Sequence, residues 1–403
     1  MRKHYFLIII GTILSAAFGW GASFYWKNLR GIGPALSKPP ADIADLISEQ
    51  PRATNTTGFP LKLPSGFSIE IFAKNLSGAR VMVFDRFGNM WVSRTSAGVI
   101  TQLQVRDGKV VGQNDYIRNL RKPHGLAFGS FGNSDSEVLY YAEENKISFL
   151  PIVSTRIPTK IVDLPAGGGH FTRTIGFGPD GRLYISIGSS CNVCRERDQR
   201  RAAIYSMNKD GGDFKLFVTG LRNSVFFVWH PETKKMWATE MGRDLIGDDF
   251  PPDEINIVEE EKNYGWPACY GNNIHDTDFD RNTYIRNPCT EPFETPSFVD
   301  IPAHSAPLGL AFVPDTWPQE YRGNLLVAYH GSWNRSEPTG YKIVRFKFND
   351  TKGLIRADDV ISGWLTPDNK ALGRPVDLVF GPDNTLYVSD DKAGVIYALR
   401  PPS

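Results

Sequence analysis

From about residue 60 onward the chain repeats one arrangement of apolar and polar positions. A short apolar strand enters a turn of Asp, Gly, Asn or Pro. A strand of the form Leu/Met–aromatic–aliphatic–Ser/Thr follows and then, after a gap, a third apolar strand. The first copy is Val81–Phe84, turn Asp85–Asn89, Met90–Ser93 and Val99–Val105. The second is Gly125–Phe128, Val138–Tyr141 and Lys146–Val153. The third is Thr174–Phe177, turn Gly178–Gly181, Leu183–Ser186 and Ala203–Met207. The fourth is Val225–Val228, turn His230–Thr233, Met236–Thr239 and Glu254–Val258. The fifth is Gly309–Phe312, Asn324–Ala328 and Lys342–Phe348. The sixth is Asp377–Phe380, turn Gly381–Asn384, Leu386–Ser389 and Val395–Leu399.

Each unit is a small antiparallel sheet that cannot bury both faces alone, and stacking units around an axis buries them against neighbours. The expected architecture is all-β, a six-bladed β-propeller over 59–403, with Phe67–Ala73 closing the ring against the last blade. Glu259–Asp300 is an insertion between the fourth and fifth units. A two-sheet sandwich is the alternative, and six phased repeats weigh against it. The abundance of Gly and Pro and the lack of long helical periodicity past residue 60 agree with a turn-rich β fold.

The N-terminus has a different pattern. Arg2, Lys3 and His4 precede an uncharged run from Tyr5 to Trp26, with Tyr5, Trp20 and Trp26 near its ends. Residues 1–30 therefore read as a transmembrane anchor or a signal peptide, cleavable near Gly19-Trp20-Gly21. Residues 31–58, rich in Pro, Ala and Ser, read as a linker. Both readings place the rest of the chain in a periplasmic or other extracytoplasmic space, the first with residues 5–26 held in the membrane. The four cysteines suit that compartment, and the expected disulfides are Cys191–Cys194 and Cys269–Cys289. Cys191-Asn-Val-Cys194 also has the form of a redox or zinc motif, although neither two further zinc ligands nor a thioredoxin-like pattern accompanies it. The net charge of +1 offers no basic excess for nucleic acid.

In a propeller the loops entering the innermost strands converge on the axis. Those turns carry Lys122-Pro-His124, Gly167-Gly-Gly-His170, Leu221-Arg222-Asn223, Ala303-His304-Ser and Gly373-Arg374-Pro. One such residue is ordinarily a surface turn; five in phase around one axis point to a site. His170, after three glycines and with Arg173 three residues on, is a candidate general base. Arg222, Arg335 and Arg374 are candidate carboxylate clamps. His330-Gly-Ser-Trp-Asn-Arg335 suits a ligand wall. The acidic loop Asp244–Glu254 is either a solvated loop or a hard-cation site beside Arg222.

The pieces LRN with its apolar strand, WATE, DEIN and NYGWP resemble the quinoprotein sugar dehydrogenases, the soluble glucose and sorbosone dehydrogenase family. GGGH with a nearby Arg, HSAPLGL, HGSWNR and GRPVDLVFGPD…LYVSDD resemble its sorbosone-dehydrogenase-like branch. The resemblance spans roughly residues 60–400. It implies a six-bladed propeller that uses pyrroloquinoline quinone and Ca²⁺ to oxidise an aldose or sugar aldehyde at C1. His170 is then the base, with hydride passing to the quinone. Arg222 and Asn223 are cofactor contacts, Arg374 a clamp on a cofactor carboxylate, and Gly242 and Arg243 the carbonyl ligands of calcium. Glu254 and Tyr264 fall in a second calcium region. His124 replaces the family's glutamine contact and Arg335 its lysine, and Arg173 and His304 join the cofactor set. Gly242-Arg243 stands where the glucose enzyme has Gly-Pro. A sugar substrate and a quinone or cytochrome electron acceptor are the implied partners. A lactonase-type hydrolase needs axial carboxylates and Asn where this chain has mainly His and Arg, and a non-catalytic binding propeller is the other alternative.

Overall fold

The computed structural model describes residues 2–36, 55–131, 137–152, 157–349 and 353–402, with side chains from residue 12 onward. Six four-stranded antiparallel sheets form the six blades. The first comprises Ala79–Phe84, Met90–Arg94, Val99–Arg106 and Lys109–Ile117. The second comprises Leu126–Ser130, Glu137–Glu143, Lys146–Pro151 and Thr159–Asp163, and the third Ile175–Phe177, Leu183–Ile187, Ala203–Met207 and Lys215–Thr219. The fourth, Phe227–Trp229, Met236–Glu240 and Asp253–Val258, takes its outer strand, Val299–Ile301, from the far end of the insertion. The fifth is Pro307–Phe312, Leu325–Tyr329, Lys342–Phe348 and Leu354–Ile361. The sixth is Pro375–Phe380, Leu386–Asp390 and Val395–Arg400, completed by Ser68–Ala73, which pairs antiparallel with Val395–Arg400. The ring closes as expected, with the first strand of the propeller joined to the last.

The second strands explain the repeat. Leu183–Ile187, Met236–Glu240, Leu325–Tyr329 and Leu386–Asp390 are buried along their whole length. Both faces of each blade are covered by neighbours, so these strands read as continuous rather than alternating apolar runs. Their recurrent Ser or Thr has a specific task. Ser186 Oγ donates to Ser224 O, Thr239 Oγ1 to Leu308 O at 2.8 Å and Ser389 Oγ to Arg80 O at 2.6 Å. Each hydroxyl ties its blade to the entry of the next, and an unmade bond there would leave a buried polar group without a partner. At the blade turns Asp85 accepts from Phe87 N, Asn89 N and Trp91 Nε1, the local bonding that makes Asp a turn former.

Both expected disulfides are formed, Cys191–Cys194 and Cys269–Cys289. The latter restrains the long excursion of the fourth blade. Two expectations change. The first five blades each have a fourth, outer strand that the three-strand repeat did not contain. These strands, such as Lys109–Ile117 and Leu354–Ile361, are part-buried or exposed over most of their length and lack the continuous apolar run of the inner ones. The transmembrane expectation for residues 5–26 is not met: Arg2–Asn28 is a helix, but among the described residues no helix is long and apolar enough to cross a membrane. Thr12, Ser15, Gly19, Gly21 and Ser23 dilute its apolar character. The stretch expected as a linker is only partly described. Gly33–Leu36 is a short helix, Lys392 Nζ donates to Pro34 O, and Asn55 bridges to Ile69 on the sixth blade. Residues 37–54 lie outside the described residues.

Candidate active site

A cavity of about 420 Å³ opens at the axial end of the third, fourth and fifth blades. Its wall includes His170, Asn192, Arg222, Asn223, Gly242, Asp244, His304 and Trp333. His170 enters on the turn between the second and third blades. Its Nδ1 lies 3.0 Å from Ser189 O and 2.9 Å from Ser189 Oγ. Donation of Nδ1–H to the carbonyl makes Nε2 the basic nitrogen. Burial, then the nearby Arg222 charge, pushes the imidazole down to about 3, so it is neutral at physiological pH. The glycines before it serve the protein as well as the cavity. Gly168 has φ +84°, and a Cβ there would lie 2.6 Å from Ser190 Cα; a Cβ on Gly188 would meet His170 Cβ at 2.7 Å. The turn and the Gly188–Cys191 segment are therefore packed backbone on backbone.

Arg222 is buried and fully engaged. Nε donates to Asn192 O, Nη1 to Gly242 O and Met241 O, and Nη2 to Asn192 Oδ1 and Asp244 Oδ2. One guanidinium thus gathers backbone carbonyls and a carboxylate from the acidic loop. Asn223 projects beside it, and its backbone N–H donates to Glu240 Oε1 at 2.8 Å. Glu240 is the glutamate of the WATE motif; burial raises its carboxyl well above the usual range.

The acidic side chains are spent on the protein. Asp244 accepts from Arg222 and Asn334, and Asp248 from Ser336 N and Oγ. Asp249 pairs with Arg335, while Asp253 accepts from Gly242 N and Ala306 N. Burial raises Asp253 to about 7. His304, with φ +64°, joins Gly247 O to Asn334 Nδ2. Most of the loop clamps blades together, while Asp249 and Phe250 are exposed.

Of the residues expected in the site, His170, Arg222, Asn223, His304 and Gly242 line the one cavity. His124 does not. It is fully buried, with its ring 5.4 Å from Phe226 and 3.3 Å from Thr174 Oγ1. Arg173 is spent on the carbonyls of Pro165, His170 and Thr172, and Arg374 on those of His330 and Gly331. Arg335 holds Asp248 O and Ala303 O. All three guanidinium groups brace backbone behind the wall. Arg243 points away from the cavity to Asp276, 2.6 Å distant.

For calcium the two expected regions differ. Around Arg222 the oxygens of Met241, Gly242 and Asp244 converge, but each already accepts from the guanidinium, so a hard cation there would use the second lone pairs of the two carbonyls. Around Glu254 and Tyr264 no such set is open. Glu254 Oε1 and Oε2 accept from Gly271 N and Asn256 Nδ2, Tyr264 OH donates to Ile257 O, and the Arg243 guanidinium already borders the same cavity of about 20 Å³. Sequence reasoning missed Asn192, Asp244 as partner of Arg222, Ser189 and Asn334. No repeat position marks them; only Asn192's place between two cysteines was a signal.

The TrAA12-like family matches residues 61–402, and the chain belongs to it. The chain is 31% identical over 374 residues to an uncharacterized protein of Borreliella burgdorferi, covering 88% of this chain and 94% of that protein. It is 35% identical over 412 residues to the pyrroloquinoline quinone-dependent pyranose dehydrogenase of Coprinopsis cinerea. That match covers 85% of this chain and 55% of the relative, so the chain spans about half of its length. The calcium structure of the Trichoderma reesei carbohydrate-active enzymes family AA12 shares the fold, with a TM-score of 0.71 at 21% identity over 87% of this chain and 100% of that one. The motif resemblance to quinoprotein sugar dehydrogenases agrees with these matches.

Proposed function

We propose that the protein is an extracytoplasmic sugar dehydrogenase that oxidises an aldose or sugar aldehyde at C1 with pyrroloquinoline quinone and Ca²⁺, passing electrons on to a quinone or cytochrome. The observation that carries this reading is a neutral, anchored imidazole, His170, in the same cavity as Arg222 and Asn223. Pyrroloquinoline quinone, when bound, supplies the two-electron acceptor for the hydride. His170 Nε2 takes the proton of the C1 hydroxyl, and Ser189 keeps the ring in the tautomer that can do so. Arg222, with its N–H groups all engaged, contributes its charge, and Asn223 its amide, where negative charge gathers. The backbone carbonyls of Gly242 and Arg243 are the oxygens that would hold calcium, Gly242 O through the lone pair that Arg222 leaves open. Trp333 supplies an aromatic face at the wall. The two disulfides support the extracytoplasmic setting.

The test is reconstitution of the purified protein with Ca²⁺ and pyrroloquinoline quinone, followed by dye reduction with a panel of aldoses. Turnover that needs both additions is expected. Cofactor binding without turnover on any sugar would favour the non-catalytic binding propeller.

A further inference from the structure

The Cys191–Cys194 disulfide closes a loop that holds Arg222 and Asp244 of the cavity wall. Asn192 lies inside it. Asn192 Oδ1 accepts from Arg222 Nη2 at 2.8 Å and from Asp244 N at 2.7 Å, its backbone O accepts from Arg222 Nε at 2.8 Å, and its Nδ2 donates to Asp244 O at 2.9 Å. Ser189, two residues before the first cysteine, holds His170 Nδ1, and its Oγ donates to Cys191 O at 2.7 Å. Ser189 N donates to Arg222 O at 2.7 Å, and Gly169 N to Ser190 O at 2.8 Å. The base, the guanidinium and the carboxylate are thus positioned by one short segment.

The two sulfurs face different spaces. Cys191 borders the catalytic cavity. Cys194 borders a separate groove of about 450 Å³ on the other side, lined also by Arg195, Glu196, Arg197 and Arg201. A thiol can therefore reach Cys194 without entering the cavity, and Glu196 Oε1 lies 4.0 Å from both sulfurs, where it can take the proton of an incoming thiol. The second disulfide offers no such approach, since Cys269 and Cys289 are 6% and 1% exposed.

We propose that Cys191–Cys194 is a redox latch on the active site and that Asn192 is the positioning residue it controls. The identity of the latched site rests on the function proposed above. A dithiol reductant attacks Cys194 Sγ as thiolate, the S–S bond breaks, and Cys191 leaves as thiolate and takes a proton. The second thiol of the reductant resolves the mixed disulfide and frees Cys194. The reductant becomes a disulfide, and the protein gains two electrons and two protons. Asn192 is released from its closed loop, and Arg222 and Asp244 lose their shared partner.

The experiment treats the full-length holoprotein with dithiothreitol, counts alkylated cysteines by mass spectrometry, and follows hydrogen exchange of the Met241–Leu245 segment alongside turnover. Cys191 and Cys194 are expected to be labelled before Cys269 and Cys289. Exchange at Asp244 N–H should quicken, kcat should fall by about tenfold or more while KM moves less, and all should revert on reoxidation. Asn192→Ala should reproduce the fall in oxidised protein and add little in a Cys191→Ser/Cys194→Ser background, because the two act through one contact. Equal losses in both backgrounds, or unchanged exchange and kcat in protein shown to carry free Cys191 and Cys194, would overturn the latch. Exchange is read without turnover, so faster exchange in a protein that oxidises no sugar would uphold the latch and overturn the dehydrogenase reading alone.

Discussion

Two charged clusters flank the propeller axis, and they differ in what their charges face. On the third and fourth blades, His170, Arg222 and Asp244 surround open space. Across the axis, on the fifth, sixth and first blades, Asp391 accepts from His330 Nε2 at 2.9 Å and from Arg80 Nη1 at 2.6 Å, while Arg374 closes over the carbonyls of His330 and Gly331. Burial would raise the Asp391 carboxyl, but His330 and then Arg80 and Arg374 hold it below the usual range. Burial and Arg374 push His330 down to about 4, so its bond to Asp391 is that of a neutral donor. The first cluster positions polar groups toward a cavity; the second turns its groups onto one another and onto backbone and fastens three blades together. Histidine and arginine at equivalent repeat positions therefore do not carry equivalent roles.

The sharpest way to break this contrast is His170→Ala. Turnover should fall by about 10²–10⁴-fold, the range of a positioned general base, with cofactor binding kept in a spectral titration; normal turnover would remove His170 from the chemistry. Next is Arg222→Ala. It strands the Asp244 carboxylate and three carbonyls, so thermal unfolding should show a loss of about 3–5 kcal/mol, and Asp244→Asn in the same protein should recover part of it. Arg374→Ala tests the opposite cluster. It should lower the melting temperature while changing cofactor affinity by less than about threefold, since only carbonyls lose partners; a loss of more than about tenfold would move Arg374 into the cofactor site.

The smallest effects concern pH. His170 folds with its imidazole depressed, so between about 6.5 and 3 the unfolded chain binds the extra proton, and His170's contribution to stability is lost as pH falls through that window. The base form itself should persist in acid, leaving kcat of the holoenzyme flat down to about pH 4. Asp253 is the converse. Raised to about 7, it binds a proton in the folded state that the unfolded chain releases, so its contribution is present at acid pH and lost as pH rises through 7. Asp253→Asn should flatten that slope in melts between pH 5 and 8.

Much of the molecule was legible along the chain because the repeat obeys local rules. Leu183–Ser186 and Leu386–Ser389 show the buried second strand, Asp85–Asn89 its turn, and Phe67–Ala73 the ring closure. The other outer strands were not legible, since their polar faces look like loops until a neighbouring strand supplies the ladder. His170 and Arg222 were visible from glycines and motif order. Their keepers, Asn192 and Ser189, were not, because a side chain that holds another across blades leaves no periodic trace.

The chain's own pattern of apolar runs and turns determined that there would be six sheets around an axis, with polar turns at their inner ends. Tertiary structure alone decided which of those turns open onto space and which close on one another. Register and backbone approach set whether a guanidinium bound to its neighbours' carbonyls also borders a cavity, as Arg222 does, or is shut behind the wall, as Arg173 and Arg374 are. Those distances arise only when separate blades are brought together.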